Sequence, residues 1–197
     1  MRRKQCEIKS MEAIEEILRR VRVGRLATFG RDGYPYITPL NYVWWNGSIY
    51  FHCAHQGEKI DNIAENNKVC FEVDIPLSYL DLEYDRSRPT CMVHQFYHCV
   101  IVRGQAEIVT DLQEKIAALN ALVAAHEGTD NFEKVNEESK GLAPCTVIAV
   151  RVEQISGKSD LAQKMTAEDR EKVARYLLQR DLPGDSEAAT LIGKNHG

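Results

Sequence analysis

The sequence lacks the short motifs that would settle its chemistry directly. It holds neither Gly-x-Gly-x-x-Gly nor Gly-x-x-x-x-Gly-Lys-Ser/Thr, which argues against classical dinucleotide-binding and P-loop folds. Ser-His-Asp order, His-Glu-x-x-His and a paired-carboxylate motif with usable spacing are missing too, so hydrolytic chemistry has no visible machinery. The six cysteines, at 6, 53, 70, 91, 99 and 145, form no Cys-x-x-Cys pair. No apolar run approaches the roughly 18 residues of a membrane span, and no signal peptide precedes the first helix, so a cytoplasmic protein with reduced thiols is expected. Basic charge is in deficit, with 25 Lys and Arg against 29 Asp and Glu, which argues against the concentrated cationic surface of a nucleic-acid binder.

What is there is hairpin chemistry. Asn46-Gly47 and Asp32-Gly33 each stand between apolar runs, and such pairs supply the positive φ values of tight hairpin turns. They predict three antiparallel strands before residue 55: Gly24 to Phe29, Tyr34 to Trp45, and one that ends near His52. Tyr34 to Trp45 has no polar face, which fits a barrel strand covered outside by a helix, a cofactor or a second subunit. Pro35 and Pro39 remove two ladder donors, so that strand is expected at an edge or with a bulge.

The rest of the chain divides by period. Helices are expected at 10–22 with Ser10 as N-cap, at 57–66, after a Thr110-x-x-Gln113 capping box as far as Gly128, and at 166–180. A short helix over Phe132 to Glu138 is also expected. Further strands are read at Val69 to Asp74, Val93 to Val109 and Thr146 to Gln154, with a bend at Gly104, for six strands in all. Ile75 to Thr90 reads as a loop, a candidate lid, and the segment after Pro183 as a mobile tail. The expected organisation is a mainly β domain over 1–160 followed by a helix and tail over 161–197.

The candidate site lies at the end of the third strand. Ala54, His55, Gln56, Gly57 and Lys59 lead into a helix start, whose free N–H groups and positive pole suit a phosphate. The plainer reading is an ordinary strand-to-helix connection. His52 is either a packed imidazole or a group that positions substrate, donates a proton or ligates haem iron. Cys91, His94, His98 and Cys99 have zinc-ligand chemistry, but along a strand His94 and His98 would stand about 13 Å apart, so no metal site is assigned. Trp44 and Trp45 read either as core or interface packing or as a flavin platform.

Three stretches carry a family resemblance: GRLATFGRDGYPYITPLNYVWWNGSIYFHCAHQGEKIDNIAENNKVCFEVD at 24–74, FYHCVIVRGQAEIV at 96–109 and VIAVRVEQISGK at 147–158. Together they resemble the nitroimidazole-resistance (Nim) branch of the pyridoxamine 5'-phosphate oxidase-like flavoproteins. The resemblance implies a six-stranded antiparallel split β-barrel of Greek-key type, working as a homodimer with FMN at the subunit interface. It places Thr38, Pro39, Leu40 and Asn41 beside the flavin ring, and His52, Ala54, His55, Gln56 and Lys59 around the ribityl phosphate. It assigns Tyr97, Cys99 and Lys158 to the other side of the site. Oxidase members of the family carry Ser-Arg-Lys where this chain has Ala54-His55-Gln56, so pyridoxamine phosphate oxidation is not expected. Cys99 stands where the family usually has a small hydroxyl residue. The implied function is an FMN-dependent oxidoreductase passing electrons from NAD(P)H to a small acceptor such as a nitroaromatic, with His52 as catalytic residue. The alternatives are a haem-binding split barrel, with His52, His94 or His98 as axial ligand, and a non-enzymatic flavin-binding module.

Overall fold

The structure, a computed structural model, describes residues 3–194. Among these residues there are five α-helices and eight strands. In chain order they are β1 (Glu7–Ile8), α1 (Met11–Arg20), β2 (Val23–Phe29), β3 (Pro35–Asn41), β4 (Val43–Trp45), β5 (Ser48–Cys53), α2 (Glu58–Glu65) and β6 (Lys68–Leu80). There follow β7 (His94–Ile108), α3 (Leu112–Glu127), β8 (Thr146–Asp160), α4 (Ala167–Arg180) and α5 (Asp185–Lys194). The strands form one sheet in the order β3-β2-β6-β7-β8-β5-β4, with β1 against β8. Every register determined between paired strands is antiparallel. This is the expected split-barrel class with more strands than six.

The two extra strands have simple causes. Tyr34 to Trp45 is interrupted at Tyr42, whose hydroxyl donates to the Leu18 carbonyl at 2.6 Å and whose ring meets Phe71 edge-on. Burial pushes the Tyr42 phenol well above its ordinary pKa. The two-residue β1 is too short to leave a periodic signal.

The chain forms two compact units. One comprises Glu12–Val73 and Val100–Ser156. In it β2 and β3 pair from Val23 opposite Asn41 to Phe29 opposite Pro35, through the Asp32-Gly33 turn. The hairpin buries Gly24, Leu26 and Thr28 and leaves Val23, Phe29, Pro35, Ile37 and Pro39 exposed. β4 and β5 pair through Asn46-Gly47, both at positive φ. The sheet curls until β3 and β5 touch. Helix α3 covers β4 and β5, closing a cluster of Val43, Tyr50, Ala118, Leu122, Val147 and Ala149. The buried Tyr50 hydroxyl donates to Glu114 at 2.7 Å and accepts from Arg151, which also reaches Glu114 and Glu107, so no polar group of that contact goes unmet. A Cβ on Gly104 would lie 2.0 Å from the Arg151 carbonyl oxygen, so the bend expected there is a close backbone approach that only glycine allows.

The other unit comprises the chain up to Met11, Asp74–Cys99 and everything from Gly157 on. Its core joins Leu77, Leu80 and Phe96 to Leu161, to Val173 and Leu177 of α4, and to Ala188, Ala189 and Ile192 of α5. The segment after Pro183, expected as a tail, is thus helix α5, held by full burial of Ile192. Asp185 accepts from Arg180 and from the Ser78 hydroxyl. The Ile75 to Thr90 loop is corrected as well, because β6 continues to Leu80 with Leu77, Ser78 and Leu80 buried.

Two local expectations give way to side-chain geometry. The N-cap of α3 is Asp111, whose carboxylate accepts from the Glu114 N–H at 2.7 Å, one residue beyond the Thr110 expected. Phe132 to Glu138 forms bends and turns, with the Val135 backbone held on both sides by Asn120.

Candidate functional site

The strand end of β5 and the start of α2 carry five of the twelve expected site residues, His52, Ala54, His55, Gln56 and Lys59, in one unit. β5 runs beside β8 with His52 opposite Val147 and Cys53 opposite Thr146. The apolar residues Ile49, Tyr50 and Phe51 are buried, and His52 is the first exposed residue of the strand. Ala54, His55, Gln56 and Gly57 follow as an exposed loop. Gly57 is the N-cap of α2 at φ 130°, a region that disfavours any side chain, and it provides no side-chain cap. No side chain caps the start of α2, whose Ile60 and Asp61 N–H groups already bond the Gly57 carbonyl at 2.8 and 3.1 Å, and the first turn carries Lys59 with Glu58 and Asp61 as its acidic residues.

The imidazole of His55 holds this loop in place. Its Nε2 lies 3.3 Å from the Ala143 carbonyl, which can only accept, so Nε2 carries the proton. Its Nδ1 meets the Thr146 hydroxyl, which in the neutral ring donates to it. Both ring nitrogens are thus engaged within the protein. Lys59 lies over the Phe51 ring at 5.3 Å from its centroid. Burial raises the pKa of the Cys53 thiol, and the positive charge of Lys59 opposes that rise.

Thr38, Pro39, Leu40 and Asn41 do not share a face. Pro39 and Asn41 lie on the exposed side of β3, whereas Thr38 and Leu40 alternate inward, with Thr38 opposite the fully buried Leu26. The Thr38 hydroxyl is buried without a hydrogen-bond partner among the described residues. Trp44 is buried, and Trp45 meets the Tyr50 ring edge-on at 5.3 Å, so both indoles belong to the packing of this unit.

The three remaining candidates belong to the other unit. Lys158 donates to the Tyr97 hydroxyl and lies 3.4 Å from Asp160. Burial works against the Lys158 charge, but these partners outweigh it and raise its pKa. Cys99 is half-buried on the same strand as Tyr97. His94 donates from Nε2 to Asp160 at 3.1 Å. Among the described residues no three His, Cys, Asp or Glu side chains are grouped to hold a metal, and all six cysteines are free thiols. No helix among them is long and apolar enough to cross a membrane.

The sequence reading missed the partners of His55. Thr146 and Ala143 are about ninety residues away, and only the register of β5 on β8 brings them there. The inward turn of Thr38 was open to a count of alternation from the buried Leu26, but that needs the β2–β3 pairing first.

Many solved structures share this fold, and three of them follow. A candidate 5-nitroimidazole antibiotic resistance protein from Bacteroides thetaiotaomicron is 24% identical over 77% of this chain and 85% of its own, with a TM-score of 0.63. An FAD and heme binding protein from Mycobacterium smegmatis is 17% identical over 86% and 80%, with a TM-score of 0.69. An FAD-binding protein from Mesorhizobium loti is 26% identical over 77% and 95%, with a TM-score of 0.53. No curated protein matches the sequence. The family model described as pyridoxamine 5'-phosphate oxidase matches residues 10–159, three quarters of the chain, including both hairpins and the β5–α2 junction, and the chain belongs to that family.

Proposed function

We propose that this protein is a flavin-dependent oxidoreductase that holds FMN at the β5–α2 junction and passes electrons from NAD(P)H to a small acceptor, of which a nitroaromatic is the leading class. The observation that carries the reading is the uncapped start of α2 behind Gly57, with Lys59 in its first turn and the Gln56 amide exposed beside it. That donor set fits a phosphate: N–H groups with no side-chain cap, the positive end of a helix and one ammonium. The exposed acids Glu58 and Asp61 weaken it, so Lys59 is required for the balance.

A bound flavin would supply the electron transfer, for which the protein side chains have no equivalent. The residues of this chain bind and orient. His55 fixes the loop, Lys59 and the α2 N–H groups hold the phosphate, and the exposed edge of Pro39 and Asn41 on β3 faces the ring. His52, exposed at the end of β5, donates the proton to the reduced acceptor. The relatives described as FAD-binding and as a candidate nitroimidazole resistance protein support this class of chemistry on this fold.

The test is the ultraviolet-visible spectrum of the purified protein, then heat release and chromatography of the bound group, then NADH or NADPH oxidation with a nitroaromatic. Oxidised-flavin bands, released FMN and turnover that falls at least tenfold in His52→Ala are expected. A Soret band would replace the reading with a haem protein. Failure of added FMN to bind saturably would remove it altogether.

A further inference from the structure

Helix α2, which carries Lys59, has two buried residues, and one of them is polar. Ile63 is the apolar one, and Asn62, 1% exposed, is the other. The Asn62 side-chain amide donates from Nδ2 to the Thr28 hydroxyl at 3.1 Å. Thr28 is itself buried on β2, and its hydroxyl donates to the Tyr36 carbonyl of β3 at 3.5 Å. A helix of two turns has little stability of its own, so its placement depends on what its inner face meets. One isoleucine gives attachment without direction. The buried amide adds direction, because a hydrogen bond weakens steeply as its length and angle depart from their optimum.

This bond joins the two parts of the proposed flavin site. Asn62 stands three residues after Lys59, and residues at that spacing are neighbours on one face of a helix. On the other side of the bond, Thr28 pairs with Tyr36 in the hairpin whose opposite face exposes Pro39 and Asn41. Asn62 and Thr28 are too deeply buried to serve as ligand contacts themselves, so any effect on a ligand runs through the groups they hold.

We infer that Asn62 and Thr28 are positioning residues for the flavin phosphate, their hydrogen bond fixing where the Lys59 end of α2 stands against the β2–β3 hairpin. The inference rests on the proposed seat of the phosphate at the β5–α2 junction. The ribityl chain sets a fixed reach between ring and phosphate. A displaced α2 would therefore weaken the grip on the phosphate while contacts to the ring on β3 stay in place. FMN should lose affinity, and riboflavin, the same molecule without the phosphate, should not.

FMN and riboflavin are titrated, by quenching of flavin fluorescence, into the full chain freed of bound flavin. Wild type is expected to prefer FMN by about a hundredfold, the scale of one or two hydrogen bonds to a charged group. Thr28→Val keeps the side-chain volume and removes the hydroxyl, and should reduce that preference about tenfold with riboflavin affinity unchanged. Thr28→Ser, which restores the hydroxyl, should restore the preference. Because Thr28→Val leaves the Asn62 amide unmet, the Asn62→Leu/Thr28→Val double variant separates stability from positioning. Replacing both partners by apolar groups is nearly neutral for stability, so it should melt near wild type and still lose the preference. A double variant that keeps the full preference for FMN overturns the inference, and so does an equal loss of FMN and riboflavin affinity in Thr28→Val. A wild type that binds both flavins equally would overturn the phosphate seat itself, and the positioning role with it.

Discussion

Thr38 shows how one side chain separates a family expectation from the physics of its position. Its hydroxyl faces the interior beside Leu26 and is buried with no partner among the described residues. An unmet buried hydroxyl costs about 1–3 kcal/mol, and valine has nearly the same shape and a higher strand preference. Thr38→Val should therefore stabilise the protein by about 1 kcal/mol, a rise in Tm of about 2–4 °C for a chain of this size. Flavin affinity should be unchanged, because the hydroxyl points away from the exposed face of β3. A calorimetric melt together with a flavin titration checks both halves, and a loss of affinity would place the hydroxyl on the flavin.

At the scale of elements, α5 depends on one buried ion pair. Asp185 is 1% exposed and accepts from Arg180, Ser78 and the Leu182 N–H, while Arg180 also reaches Asp81. The hydrogen bond from Arg180, followed by those from Ser78 and Leu182, outweighs burial and lowers the Asp185 pKa to about 2. The carboxylate of an unfolded chain titrates near 3.9, so the folded state binds this proton less readily. Its stabilising contribution, about 2 kcal/mol, is then complete above about pH 4 and is lost as pH falls through about 2. Asp185→Asn should lower stability at pH 7 by about 2–3 kcal/mol and flatten the acid limb between pH 4 and 2. Urea unfolding of both proteins at pH 7, 4 and 2.5 measures this. An unchanged acid limb would mean that another carboxylate governs it.

For the whole molecule, the outward face of the β2–β3 hairpin leads to a statement about assembly. Phe29 is 59% exposed and Ile37 61%, beside Pro35 and Pro39, an apolar strip on the exposed face of the strand pair, while Thr28 on the other face meets Asn62 of α2. We propose that a second copy of the chain covers it, which would also close the β3 edge of the proposed flavin site. Light scattering should then report twice the 22.4 kDa chain mass. Ile37→Lys should weaken association at least tenfold, since burying an isoleucine contributes about 1.5–3 kcal/mol. A wild-type monomer at working concentration would refute this assembly.

The sequence by itself determined what is local. Asn46-Gly47 and Asp32-Gly33 fixed two hairpins because only a few residue pairs accept positive φ, and Thr166, Gly57 and Gly128 marked helix ends through caps that act within a few residues. The strand-to-helix junction at His52 to Lys59 was legible for the same reason. The family, too, could be read from ordered stretches of sequence. Only the tertiary structure decided what depends on register and on distant partners. Those decisions are the inward turn of Thr38, the locking of His55 by Thr146 and Ala143, and the burial of α5 through Arg180 and Asp185. The bond from Asn62 to Thr28 belongs with them. Each joins residues whose separation along the chain leaves no periodic trace, so the contact exists only once the sheet has brought them together.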